Sequence, residues 1–175
     1  MEPNPTPTTE TPTSHTTQLY ERYVELPSGE QAELRRGTTG APFWRLLRTI
    51  GKHNAHKDDL RNWQLLIQCI AIAGHSKKPS LGNALRQADY SEARLKRLLE
   101  ADDDLLPGIL RRTARQLKSS GHTGNWNIVR RILFDYKGEA DDARLQLAQD
   151  YFTYTPDDDT SDADTSNQDT PNTDE

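Results

Sequence analysis

The chain has 175 residues, enough for one domain with room for two small lobes, and a formal net charge of −5. Its single cysteine, Cys69, excludes an internal disulfide, and no apolar run approaches the roughly 20 residues a membrane helix needs. No signal peptide opens the chain, so the expectation is a soluble, cytoplasmic protein.

The charge is divided unevenly. All 22 Lys and Arg lie between Gln18 and Tyr154, against 17 Asp and Glu, so this stretch is formally +5. Residues 1–17 carry only Glu2 and Glu10, and residues 155–175 carry seven Asp and Glu175. Both end segments are rich in Thr with Pro or Asp and have almost nothing apolar to bury. They cannot offset an ordering entropy of about 1–2 kcal/mol per residue, so both are expected to be disordered tails. The folded part is then residues 18–154.

Along the chain, Leu19, Tyr20, Tyr23 and Val24 form the first apolar stripe, closed by Pro27. Ser28 and Gln31 make a capping-box pattern that opens a short helix through Arg36, with Gly37 as its stop. Pro42 suits the first turn of a helix whose stripe is Phe43, Leu46, Leu47 and Ile50. Asp58 and Asp59 can cap a long helix, Leu60 to Ala73, which is apolar on most faces and stopped by Gly74. That helix is the expected buried centre, and Cys69 within it reads as a small core residue. A basic loop, His75 to Pro79, follows with Lys77 and Lys78. Ser80 caps a helix to about Ala88, and Ser91 another to about Ala101. Asp102 to Asp104 favour the positive end of a helix that reaches Ser119, with Pro107 in its first turn. Asn125 caps a helix ending near Lys137, and a last helix runs from about Asp141 to Phe152. No alternating strand of useful length appears. The expected fold is all-α, a compact bundle of eight or nine short helices with no sheet.

Enzyme motifs are absent, including the phosphate loop, the zinc-protease helix and the nucleophile elbow. The expectation is a non-enzyme with no catalytic residues, no bound metal and no cofactor. His53 and His56 have only Asp58 or Asp59 as further local ligands and read as a solvated helix end. The acidic run at Asp102 reads as a cap.

The basic residues share helix faces. Arg111, Arg115 and Lys118 stand at i, i+4 and i+7, opposite Leu110, Ala114 and Leu117, with Arg112 on the flank. Arg94 and Arg97 share a face opposite Leu95, Leu98 and Leu99. The doublets Arg35–Arg36 and Arg130–Arg131 sit beside apolar stripes. With Lys77, Lys78 and Arg86, these are the candidate nucleic-acid-binding residues. Arg outnumbers Lys 15 to 7, and its planar fork suits phosphate. No strip has polar base readers side by side near a helix start, so backbone contact without sequence readout is expected.

Five segments then take on a joint meaning: GEQAELRRG (29–37), PFWRLL (42–47), SLGNALRQADYSEARLKRLLEAD (80–102), LLPGILRRTARQLKS (105–119) and NWNIVRRILF (125–134). In this order and spacing, residues 18–154 resemble the CasB family, the small subunit of the type I-E CRISPR surveillance complex Cascade. The resemblance implies an all-α, non-catalytic subunit that sits as a pair in an RNA-guided antiviral complex. It would hold the crRNA–target DNA assembly and the displaced strand through basic surfaces. The implied partners are crRNA, target DNA, other Cascade subunits and a second copy of the chain, with no membrane. Arg35, Arg36, Arg86, Arg94, Arg97, Arg111, Arg112, Arg115 and Lys118 lie in the matching motifs. Two other readings are a helix-turn-helix regulator across Ser80–Ala101 and a protein-binding scaffold anchored by Trp44, Trp63 and Trp126.

Overall fold

In the computed structural model, which describes residues 13–156, the chain runs through nine α-helices. They are α1 (His15–Val24), α2 (Ser28–Arg36), α3 (Ala41–Thr49), α4 (Lys57–Ala73) and α5 (Leu81–Gln87). Then follow α6 (Glu92–Leu99), α7 (Leu106–Ser120), α8 (Asn127–Phe134) and α9 (Glu139–Phe152). A 3₁₀ turn, Tyr136–Gly138, precedes α9. The described residues hold no strand, only one isolated bridge between Ser80 and Asn125. The all-α expectation stands.

Helix α4 organises the packing. Every residue from Leu65 to Ala71 is buried, so this stretch has no solvent face and must be wrapped on all sides. Helices α7, α2, α8 and α1 do the wrapping. Helix α9 is the second hub, packing on α5, α8 and α6. One core joins both hubs, running from Leu19 through Trp63, Leu66 and Leu85 to Trp126 and Tyr151.

The helix ends follow local chemistry with several exceptions. Ser80 and Ser91 cap α5 and α6, accepting from the backbone N–H of Asn83 and Arg94 at 3.3 and 3.4 Å. Gly37, Gly74 and Gly121 close α2, α4 and α7 with positive φ. Asp102 accepts from the Leu105 N–H at 2.9 Å, as expected of a cap. The capping box at Ser28 does not form, because Pro27 is the N-cap. Gln31 instead donates to the carbonyls of Val24 and Leu26, at 3.3 and 3.0 Å. Helix α4 starts at Lys57, earlier than expected. His56 Nδ1 is its cap, while Asp58 and Asp59 sit inside the first turn, against the dipole.

The helical domain also begins before residue 18. Ser14 caps α1, and Thr16 and Thr17 are buried, so these residues belong to the domain and not to a tail. The expected tails otherwise, residues 1–12 and 157–175, lie outside the described residues. Trp63 and Trp126 are core residues, while Trp44 is 42% exposed.

His75 departs most from expectation. It is buried, not part of an open loop. Its Nδ1 accepts from the Trp126 N–H at 3.2 Å, so Nε2 carries the proton and donates to Thr17 Oγ1, also 3.2 Å away. A neutral ring therefore ties α1 to the start of α8. Burial first, and then Lys77, hold its pKa down to about 4 from 6.5. The unfolded chain takes up a proton below 6.5 that the folded ring refuses until about 4. The stabilisation is complete above pH 6.5 and drains away as pH falls toward 4. Urea titrations should show a loss of about 2 kcal/mol across that window, discounted for partial solvent screening, and His75→Gln should flatten that part of the profile.

Gly82 marks a close approach of α5 to α9. A Cβ there would lie 2.6 Å from the Leu147 carbonyl oxygen and 2.7 Å from the Tyr151 nitrogen, both backbone atoms of α9. Gly108 in α7 has nothing within 4 Å of the same position. Gly82→Ala should destabilise by about 1–3 kcal/mol despite the better helix propensity of Ala. Gly108→Ala should be neutral or stabilising, by about 0.5 kcal/mol, and chemical denaturation of the pair separates the two effects.

Candidate nucleic-acid interface

Helix α7 buries Leu106, Leu110, Thr113, Ala114 and Leu117 between its neighbours α4 and α6. What remains is a narrow polar arc, and the structure divides the expected cationic strip along it. Arg111 turns toward α4, where its Nε donates to Gln68 Oε1 at 2.8 Å. Gln68 is itself buried, and its Nε2 donates to the Arg35 carbonyl at 3.1 Å. One amide thus links α2, α4 and α7. Gln64 adds a hydrogen bond to the Gly37 carbonyl. Arg115 and Lys118 stay exposed, and Arg112 faces the other way, toward α6.

The thirteen candidate cations fall into two groups. Arg35, Arg86, Arg94, Arg111, Arg130 and Arg131 are engaged within the fold. Arg35 reaches the Tyr23 hydroxyl, which donates to the Ala71 carbonyl at 3.0 Å. Arg86 lies over the Tyr151 ring, 5.4 Å from its centroid, with Nη1 3.4 Å from the hydroxyl. Arg130 Nε donates to Asn127 Oδ1 at 2.9 Å, and Arg131 Nε stands 3.8 Å from Glu139 Oε2. The second group is Arg36, Lys77, Lys78, Arg97, Arg112, Arg115 and Lys118. All are exposed, and their charged groups make no hydrogen bond or ion pair among the described residues. The backbone under Lys77 is fixed, since Asn125 Nδ2 donates to its carbonyl at 3.2 Å.

Between α6 and α7 opens a cleft of about 430 Å³, lined by Tyr90, Arg94, Arg97, Ile109, Arg112 and Gln116. Arg94 and Arg97 form one wall, Ile109, Arg112 and Gln116 the other. Arg94 Nη1 donates to Gln116 Oε1 at 2.6 Å, and Gln116 Nε2 to the Ala88 carbonyl at 3.3 Å. Tyr90 is held below them by a 2.9 Å hydrogen bond with Thr113 Oγ1. A second cleft, of about 450 Å³, shares Arg97, Ile109 and Arg112 and extends to Glu100, Asp104 and Leu105. Sequence reasoning missed Tyr90, Ile109 and Gln116. The only signal was Gln116 four residues after Arg112, on the same helix face.

The reactive side chains lie elsewhere and are masked by the fold. Burial pushes the Cys69 thiol up to about 12, against the smaller opposing pull of Arg111 and Arg115. His75 has both ring nitrogens engaged. The described residues contain no group of three or more His, Cys, Asp or Glu that could hold a metal, and no helix long and apolar enough to cross a membrane.

The engaged and free groups should respond differently to truncation. Arg111→Ala strands the buried Gln68 oxygen and should cost about 1–2 kcal/mol of stability. Arg115→Ala removes an exposed charge and should stay within about 0.5 kcal/mol of the parent in urea unfolding.

The family described as CRISPR-associated protein Cse2 matches residues 30–152. No curated protein matches the chain. In structure, the chain is similar to M. ruber CasB, with a TM-score of 0.59 at 20% identity, over 80% of this chain and 93% of that one. It is equally similar to a chain of E. coli Cascade bound to a PAM-containing dsDNA target, with a TM-score of 0.59 at 24% identity, over 78% and 93%. These likenesses concern the fold. The family match runs from the first turn of α2 to the last residue of α9 and takes in both clefts. By that match, the chain belongs to the CasB/Cse2 family of CRISPR-associated proteins.

Proposed function

We propose that this chain is the non-catalytic small subunit of a type I-E Cascade, and that it holds nucleic acid by its phosphates through α6 and α7. The observation that carries this reading is the set of exposed cations Arg97, Arg112, Arg115 and Lys118 on two adjacent helices, which have no hydrogen-bond or ion-pair partner among the described residues. Charges that no described residue engages and that stand in water are available to phosphate. Each phosphate neutralised releases counterions, which favours binding of any sequence. An RNA-guided complex delegates sequence reading to base pairing and exchanges one duplex for another at nearly equal free energy. A few phosphate contacts can tip that exchange. The family match and the likeness to a Cascade chain support this setting, in which crRNA, target DNA, other subunits and a second copy are the partners.

The helix-turn-helix reading is weaker on the geometry. The first turn of α6 presents Glu92, and Arg94 is held by Gln116. That turn offers no row of free base readers. The scaffold reading loses two of its three anchors, because Trp63 and Trp126 are buried.

The test is the double change Arg115→Ala with Lys118→Ala in the full chain, alone and in the assembled complex. Binding of single-stranded DNA should weaken by a similar factor for unrelated sequences. The slope of log K against log salt should shrink by about 0.7 per lost single-strand contact. Helicity by circular dichroism should not change. Parent-like affinity and slope in both settings would contradict the proposal. A loss confined to one sequence would point to the transcription regulator.

A further inference from the structure

The two clefts between α6 and α7 differ in charge, and that difference selects a ligand. The first is lined by Arg94, Arg97 and Arg112 and by no carboxylate. The second adds Glu100, which stands 3.8 Å from Lys96 Nζ on its exposed side, and Asp104 beside the exposed Leu105. They share Arg97, Ile109 and Arg112, so they form one trough with a cationic chamber and a partly apolar chamber of mixed charge. We propose that this trough is a single-nucleotide pocket, in which Arg97 and Arg112 hold a phosphate and the base enters the chamber of Leu105, Glu100 and Asp104. The proposal deepens the strand-holding reading above and rests on it for the source of the nucleotide.

Five features lead there. The chambers, about 430 and 450 Å³, lie within the usual range for small-ligand sites. Arg97 and Arg112 come from different helices and have no partner among the described residues, so a phosphate between them can take a fork from each. Arg94 is already fixed by Gln116, which stiffens the wall before anything binds. Glu100 and Asp104 offset the shared arginines, so the second chamber draws a second phosphate less than the first. They accept hydrogen bonds instead, and the exocyclic amino group of cytosine or adenine is the donor a nucleotide offers. Ile109 and Leu105 supply the apolar surface beside which a base ring can lie.

The experiment uses the full chain and three probes at fixed ionic strength: deoxycytidine 5′-monophosphate, thymidine 5′-monophosphate and inorganic phosphate. Amide chemical-shift perturbation and calorimetry are the readouts. The cytidine nucleotide should perturb Arg97, Ile109 and Arg112 and bind several-fold tighter than either other probe. Arg97→Ala with Arg112→Ala should weaken it at least about tenfold with helicity unchanged. Lysine at both positions should restore only part of the affinity, because the fork is lost. Arg48→Ala with Arg61→Ala, two exposed cations outside the candidate set, should leave the nucleotide affinity unchanged. Equal binding of inorganic phosphate would make the trough a simple anion site and overturn the proposal. So would equal binding of the thymidine nucleotide, shifts elsewhere, or parent-like affinity in the Arg97/Arg112 double variant. The two proposals fail separately. Nucleotide binding without strand binding sinks the strand-holding reading, and strand binding without nucleotide binding sinks the pocket.

Discussion

Two turns of α4 are almost wholly removed from water, and most of the architecture answers that constraint. From Leu65 to Ala71 the only polar side chain is Gln68. An amide in that position is tolerable only if both ends are bonded. Its oxygen takes Arg111 and its nitrogen finds the Arg35 carbonyl, so the wrap of α2 and α7 around α4 is set by hydrogen bonds as well as by apolar area. Each large aliphatic side chain buried along α4 contributes about 1.5–3 kcal/mol. The amide adds direction to a term that has none.

The same constraint decides where charge can go. Helix α7 must give one side to α4 and another to α6, so its cations crowd into the remaining arc. Arg111 is drawn into the core network, Arg115 and Lys118 are left in water, and Arg112 is turned over the α6 cleft. Packing thereby separates arginines that hold the fold from arginines left in water without a partner among the described residues. Neighbours on one helix end in different surroundings because the helices beside them differ.

Much of the architecture was legible because its determinants are local. Ser80 and Ser91 as caps, Gly37 and Gly74 as stops, and the stripe of α7 are each set within a few residues. The start of α1 was not legible, because Thr16 and Thr17 are polar and become buried only through contacts such as the one to His75, 58 residues away. His75 looked like a loop residue for the same reason, since its second partner, Trp126, is 51 residues distant. The site was half legible. Periodicity put Arg111, Arg115 and Lys118 on one face, but only the position of α4 shows that Arg111 is spoken for. The α6–α7 trough depends on how two helices meet, and no spacing within one helix contains that.

The central claim is that this chain works as part of an RNA-guided assembly and not alone. Purification of the tagged full chain from its native cell, followed by identification of the associated RNA and proteins, tests it most directly. The account predicts a short RNA of defined length together with several other subunits in fixed ratio. Recovery of the chain free of RNA and of protein partners, or with duplex DNA of one sequence only, would contradict it.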